Sequence, residues 1–457
     1  MVNCFIAQPT NQYININIVM QANFDTWLAK QDKTVTTWIK NNNFTGDVNT
    51  HLVVPDTNMN LQSVIVVIAS LTDLSYFGAL ARSLPDGEYF IEQIADDTYK
   101  QAALYWAMGA YQFTKYKQTE VFLAKLALPE GFVYAQEVAN LTAGIYLTRD
   151  LVNTPCEDMS PEDLSASAKA LANEFDARFK EIVGDKLLKD NFPAIHAVGR
   201  ASVNAPRLIE LTWGESQNPS IILVGKGVCF DTGGYDIKSA SGMRLMKKDM
   251  GGAAHVLGLA RVIMAEKLPI HLTVLIPAVE NAIAGNAYKP GDVIPTRKGL
   301  TIEIGNTDAE GRVILSDALT YATEKKPTLV IDFATLTGAA KVALGSDVPA
   351  MFSNKPDLAA SIQSQSVASH DAVWQMPLHQ PYRELIQSSI ADICNSGSSP
   401  YAGAITAALF LETFVEQQPW VHFDLMAWNF SNKPAHPEGG EAMGLRAVFS
   451  WLKINYA

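Results

Sequence analysis

Ser220-Ile-Ile-Leu-Val-Gly-Lys-Gly-Val-Cys-Phe-Asp-Thr-Gly-Gly234 joins an unbroken apolar run to a glycine, a lysine and an aspartate within one short stretch. Ser220–Val224 shows no apolar/polar alternation, which is the pattern of a strand covered on both faces. Lys238 follows in the sequence, and then Met246-Lys-Lys-Asp249-Met-Gly-Gly252 leads into a helical stretch near 252–266. Further buried strands are expected at Leu272–Pro277 and Thr328–Phe333, and further helices near 313–325 and 403–416. Short apolar strands separated by helices of this length predict a mostly parallel central sheet flanked by helices.

Upstream, Ile14, Ile16 and Ile18 alternate with asparagines as in a half-buried strand, and Ser63–Ser70 is a second β-branched run. Leu104, Met108 and Tyr111 recur at helical spacing within 100–113. Val138, Leu141, Ile145 and Val152 lie near one helical stripe that Asn153-Thr-Pro155 stops. Ser160-Pro-Glu-Asp163 then reads as a capped helix start with proline at its first position. The expected organisation is α/β in two domains: a small N-terminal α/β domain over 1–130, a linker helix over 131–152, and a larger α/β domain over 153–457.

The chain has 457 residues, 48% of them hydrophobic and 18% charged, which excludes a largely disordered protein. With 35 Lys+Arg against 47 Asp+Glu its net charge is −12, an unfavourable balance for a nucleic-acid partner. Cys4, Cys156, Cys229 and Cys394 form no CxxC pair, and no Lys or Arg precedes Lys30. No apolar run approaches the ~18 residues of a membrane span. A soluble, cytoplasmic protein is the expectation.

The 8 histidines never form HExxH, and neither GxSxG nor GxxxxGK[ST] occurs. A metal would have to be held mainly by oxygen. Asp231 and Asp249 in the first region, and Asp308 and Glu310 in Asn306-Thr-Asp-Ala-Glu-Gly-Arg312, follow predicted strands and lead toward helices. Ligands of open parallel sheets bind beyond the strand carboxyl ends, where converging carboxylates repel unless cations lie between them. Singly, Asp249 suits a helix cap, Asp308 and Glu310 suit a solvated loop, and spacing alone does not single out Lys226.

Asn306–Arg312 resembles the signature heptapeptide of the leucine aminopeptidase family of dinuclear metallopeptidases (peptidase family M17). Gly225–Gly234 and Lys247–Ala254 resemble its two other metal-site segments, and Arg149–Pro155, Ala334–Gly338 and Gly403–Phe410 extend the similarity from about residue 130 onward. Over 1–125 the resemblance is weak. It implies a leucyl-type aminopeptidase that releases N-terminal residues from peptides with a free amino terminus. It also implies two divalent metal ions (Mn²⁺ or Zn²⁺) held by Lys226, Asp231, Asp249, Asp308 and Glu310, with Lys226 as a neutral amine. Lys238 and Arg312 fall on its catalytic positions. Met246, Thr335 and Met426 fall on or near its substrate pocket, and Ala309, Gly311, Arg312 and Leu336 on a bicarbonate site. The family's habit is a homohexamer. Two other readings remain: a DNA-binding regulatory member of the same family, and a two-metal phosphohydrolase. His422 and Asp424 are read as structural.

Overall fold

The strand Ser220–Gly225 lies near the middle of a nine-stranded sheet. Its apolar run is fully covered, Ile221, Ile222, Leu223 and Val224 each being 0% exposed. The covering comes from opposite sides, because side chains alternate along a strand. Ile222 and Val224 join a core with Val313, Ile314 and Leu319 of the helix Glu310–Glu324. Gly225, one step on, faces Ala253 and Val256 of the helix Gly251–Ala265. The structure is a computed structural model describing residues 3–7, 13–92, 94–118 and 122–457.

Four adjacent strands of this sheet run parallel, in the order Trp420–Asp424, Leu329–Ala334, Ser220–Gly225 and His271–Asn281. Arg207–Trp213 and Arg178–Val183 extend it antiparallel on one side, and Ala350–Ser353 packs antiparallel on the other. Gly227–Asp231 pairs parallel with the far end of His271–Asn281, so the chain leaves one strand at Gly225 and immediately re-enters the sheet. The carboxyl ends of these strands therefore deliver Lys226, Asp231, Thr335 and Asp424 to one edge of the sheet.

The chain divides into two units, one of Met1–Ala143 with Phe430–Glu438, the other of Gly144–Asn429 with Gly439–Ala457. The first holds a six-stranded sheet ordered Phe5–Ile6, Ala124–Ala127, Gly87–Ile91, Ile14–Met20, Leu61–Ile68, Thr50–Pro55, parallel except for its last pair. The division falls within the helix Ala135–Asn153, and Phe430–Glu438 belongs with the first unit although the sequence reading assigned 153–457 to one domain.

Element boundaries differ from expectation in informative ways. The helix expected at 313–325 begins at Glu310, so Glu310 and Arg312 stand in its first turn rather than in a loop. The helix expected to run to residue 416 ends at Glu412, and Glu416 has a left-handed backbone at φ 55. Ile18 is only half-buried, since Val19 takes the inward position in Ile14–Met20. Ser160 and Asp163 do form a reciprocal capping box at the start of Pro161–Glu174. Among the described residues, no helix is long and apolar enough to cross a membrane.

Candidate metal centre

Lys226 is fixed by its backbone before its side chain is considered. Its N–H donates to the Phe333 carbonyl at 3.0 Å, and its own carbonyl accepts from Ala253 N at 2.9 Å. Those bonds tie the end of one strand to the end of its neighbour and to the first turn of the following helix. The side chain is 3% exposed. Its Nζ lies 2.7 Å from Asp249 Oδ2 and 2.8 Å from Glu310 Oε1, and donates to the Thr335 carbonyl at 3.1 Å. Gly311 makes room for it, because a Cβ there would sit 2.5 Å from Lys226 Cε.

Asp231 ends its strand 2% exposed, with Oδ1 accepting from Gly233 N and from Asn281 Nδ2, both at 2.8 Å. Its other oxygen lies 2.8 Å from Lys238 Nζ, which also pairs with Asp308 Oδ1. Carboxylate oxygens of Asp231, Asp308 and Glu310 lie within 4.8 Å of one another. Asp249, reached through Lys226, accepts from Thr335 Oγ1 at 2.8 Å.

The turn carrying Asp308 is held by residues that sequence reading did not single out for function. Asn281 Nδ2 and the Tyr288 hydroxyl donate to the Thr307 carbonyl at 3.0 and 2.7 Å. Asn395 accepts from Gly305 N and Asn306 N and donates to the Asn306 carbonyl, while Arg312 Nη1 donates to the Asn395 carbonyl at 2.7 Å. Asn395 lies in a loop legible from its Ser/Gly/Pro composition, yet it is 0% exposed. Nothing in that composition ties the loop to the heptapeptide, which it meets only in the fold.

Four carboxylates outnumber the three lysines that act on them, Lys226, Lys238 and Lys248, and the acids stay undercompensated. Burial, reinforced by Asp231, lifts Glu310 well above the ordinary carboxylate range. Burial and then Asp249 push Asp231 up to about 6. Burial would also raise Asp249, but Lys226 and Lys248 outweigh it and hold its pKa below the usual value. For Lys226, burial acts downward, and Asp249, Glu310 and Asp231 together carry it above an ordinary lysine. The expected neutral amine therefore requires other cations to neutralise those acids. Glu310 Oε2 is buried without a hydrogen-bond partner among the described residues. An unsatisfied carboxylate oxygen, hard oxygen donors and excess buried negative charge fit a divalent cation.

Met246, Thr335 and Met426 line one cavity of about 380 Å³ together with Lys226, Asp231, Lys238, Asp249 and Asp308. Lys248, Lys341 and Asp424 line it too, and none of them was a site candidate. Burial pushes Lys248 down to about 8, with Asp249 opposing. Asp424 accepts from Leu336 N, Thr337 N and the Thr337 hydroxyl. His422 Nδ1 pairs with Asp332 Oδ1 at 2.6 Å inside the sheet, in keeping with a structural role. Arg312 is 8% exposed, on the same helix turn as Glu310; Ala309 precedes that turn and Gly311 lies within it.

Comparison with known proteins is consistent with this geometry. The sequence matches the catalytic domain of the cytosol aminopeptidase family over residues 146–449 and the M17 aminopeptidase N-terminal domain over 14–129. A probable cytosol aminopeptidase of Roseiflexus castenholzii is 42% identical over 363 residues, 76% of this chain and 74% of the relative. One from Clostridium perfringens is 39% identical over 368 residues, 75% of this chain and 73% of the relative. The crystal structure of cytosol aminopeptidase from Coxiella burnetii superposes with TM-score 0.97 at 47% identity, covering 100% of both chains. The bottromycin maturation enzyme BotP, solved in complex with Mn, superposes with TM-score 0.86 at 27% identity over 97% of this chain and 99% of that one. The chain belongs to the cytosol aminopeptidase family, M17, and with it to the aminopeptidases.

Proposed function

We propose that the protein is a dinuclear metalloaminopeptidase, with Asp231, Asp249, Asp308, Glu310 and Lys226 holding two divalent cations, Mn²⁺ or Zn²⁺. The observation that carries this is the convergence of those side chains at the strand ends, with a buried Glu310 oxygen left unpartnered. Divalent cations held there supply a water ionised near neutral pH and a Lewis acid for the scissile carbonyl. Lys238, its side chain 16% exposed at the cavity wall, is the donor for the carbonyl oxygen as that oxygen gains charge. Arg312 braces the Asn395 loop behind Asp308 and belongs with the bicarbonate expectation. A carboxylate-rich wall favours a free amino terminus over an acylated one. The same reading includes a homohexamer in the cytoplasm acting on peptides.

Chelation should abolish hydrolysis of an unblocked aminoacyl p-nitroanilide, and added Mn²⁺ or Zn²⁺ should restore it. Equal turnover of the N-acetylated anilide sinks the exopeptidase reading. Hydrolysis of p-nitrophenyl phosphate with no anilide turnover would replace it by the phosphohydrolase.

A further inference from the structure

The segment that supplies Asp249 carries a lysine that the metal-site reading does not use. Lys248 stands in the single turn Met246–Met250, and its neighbours in sequence are committed elsewhere. Lys247 Nζ donates to the Asn153 carbonyl at 2.6 Å, and Asp249 is taken by Lys226 and Thr335. Lys248 itself is 6% exposed. Among the described residues its amine forms no ion pair and its side chain makes no hydrogen bond. A buried ammonium with no direct ion pair is costly, and the two carboxylates that act on it, Asp249 and Asp424, are bonded to Lys226 and Thr335 and to Leu336 and Thr337. The cavity wall it shares holds the metal-site acids and Asp424, and also the uncharged Met246, Thr335 and Met426. A second lysine, the exposed Lys341 of the helix Gly338–Leu344, lines the same cavity.

We infer that Lys248 is a specificity residue whose partner arrives with the substrate: the cavity receives a carboxylate, and the enzyme prefers glutamate or aspartate as the first residue of the peptide. This rests on the aminopeptidase reading above. A side-chain carboxylate fits better than the peptide's carboxyl terminus. Lys248 is the residue next to Asp249, and so stands beside the reacting end of the substrate. The far terminus of any but the shortest peptide lies outside a cavity of about 380 Å³. Methylenes of a glutamate side chain would pack against the flexible thioethers of Met246 and Met426 on the way to the amine.

The test uses the full chain loaded with Mn²⁺ and the p-nitroanilides of glutamate, glutamine, aspartate and leucine. Glutamate should exceed its neutral isostere glutamine in kcat/KM by roughly 10- to 100-fold, the range of a charge-assisted hydrogen bond. Lys248→Met should abolish that ratio, and Lys248→Arg should retain it. Calorimetric titration with free L-glutamate and L-leucine gives a readout independent of turnover: Lys248→Met should weaken glutamate binding alone. Equal glutamate and glutamine rates in the unmodified enzyme overturn the inference, as does glutamate binding that Lys248→Met leaves unchanged. If Lys248→Met instead slows Leu-Leu but not Leu-Leu-amide, the carboxylate recognised is the carboxyl terminus, and the side-chain assignment is overturned. Failure of every anilide with Mn²⁺ bound would count against the aminopeptidase reading, and the calorimetric arm would then decide Lys248 by itself.

Discussion

Lys226 and Lys238 share the same acids from different backbones, and that difference separates their expected roles. Lys226 is clamped at a strand end between Phe333 and Ala253, whereas Lys238 lies in a loop whose N–H reaches the Thr232 carbonyl at 2.9 Å. Carboxylates raise both lysines above the ordinary value, against burial that acts downward in each case. Lys226→Ala should lower the metal content of the purified enzyme, with partial recovery in excess Mn²⁺. Lys238→Ala should retain its metal and lose kcat by about 10²- to 10³-fold, the usual cost of one oxyanion donor. Metal analysis after gel filtration, beside kcat and KM, separates the two; loss of metal from the Lys238 variant rather than the Lys226 variant would reverse the assignment. The acids were legible in the sequence because they stand where strands end. Lys226 entered only through the family resemblance, since nothing in its spacing distinguishes it from a solvated lysine. Lys248 was missed for a related reason: beside Lys247 and Asp249 it reads as one charge in a polar turn, and only its burial sets it apart.

Among the elements, the meeting of the strand Ser220–Gly225 with the helix Gly251–Ala265 decides where Asp249 and Lys226 sit. A Cβ on Gly252 would fall 2.0 Å from the Phe333 carbonyl oxygen and 2.8 Å from Lys226 N. Both are backbone atoms already bonded to each other, so no side chain can swing away to make room. Gly252→Ala should therefore push the helix off the sheet, at the upper end of the ~1–3 kcal/mol of over-packing or beyond it. The thermal midpoint and the bound metal should fall together, because Asp249 belongs to the turn that leads into this helix. Gly338→Ala is the stability control, having no atom within 4 Å of the added Cβ. An unchanged midpoint in the Gly252 variant would show that the helix can shift away from the sheet at little cost. The helix itself was legible from its apolar run. The helix Glu310–Glu324 starts before the expected residue 313, and the missing side chain of Gly311 in its first turn is the space that Lys226 fills.

At the scale of the whole molecule, the least legible feature is the return of Phe430–Glu438 to the first unit. Its neck lies in the second unit, where Trp428–Asn429 pairs antiparallel with Gly439–Gly440. A two-residue ladder is too short to announce itself in sequence, and what supports it comes from far away in the chain. Arg149, 0% exposed in the helix Ala135–Asn153, makes a bidentate pair with Glu441, 292 residues distant, through bonds of 3.0 to 3.2 Å. Asn429 Nδ2 donates to the same carboxylate at 2.6 Å, so one buried acid gathers both sides of the neck and the helix. Within the first unit, Arg82 donates to the carbonyls of Lys433 and Pro434 at the tip of the excursion. Removing one partner of a buried pair strands the other charge, at about 3–5 kcal/mol. Arg149→Met should thus shift the urea midpoint of tryptophan fluorescence far to lower concentration. The double variant Arg149→Met, Glu441→Met should recover part of the loss, because no lone charge remains. Recovery should be incomplete, since Asn429 and the Ala442 N–H then lose their acceptor. Strictly additive losses in the double variant would mean that Arg149 and Glu441 act independently, and the neck would have to be held by its ladder alone.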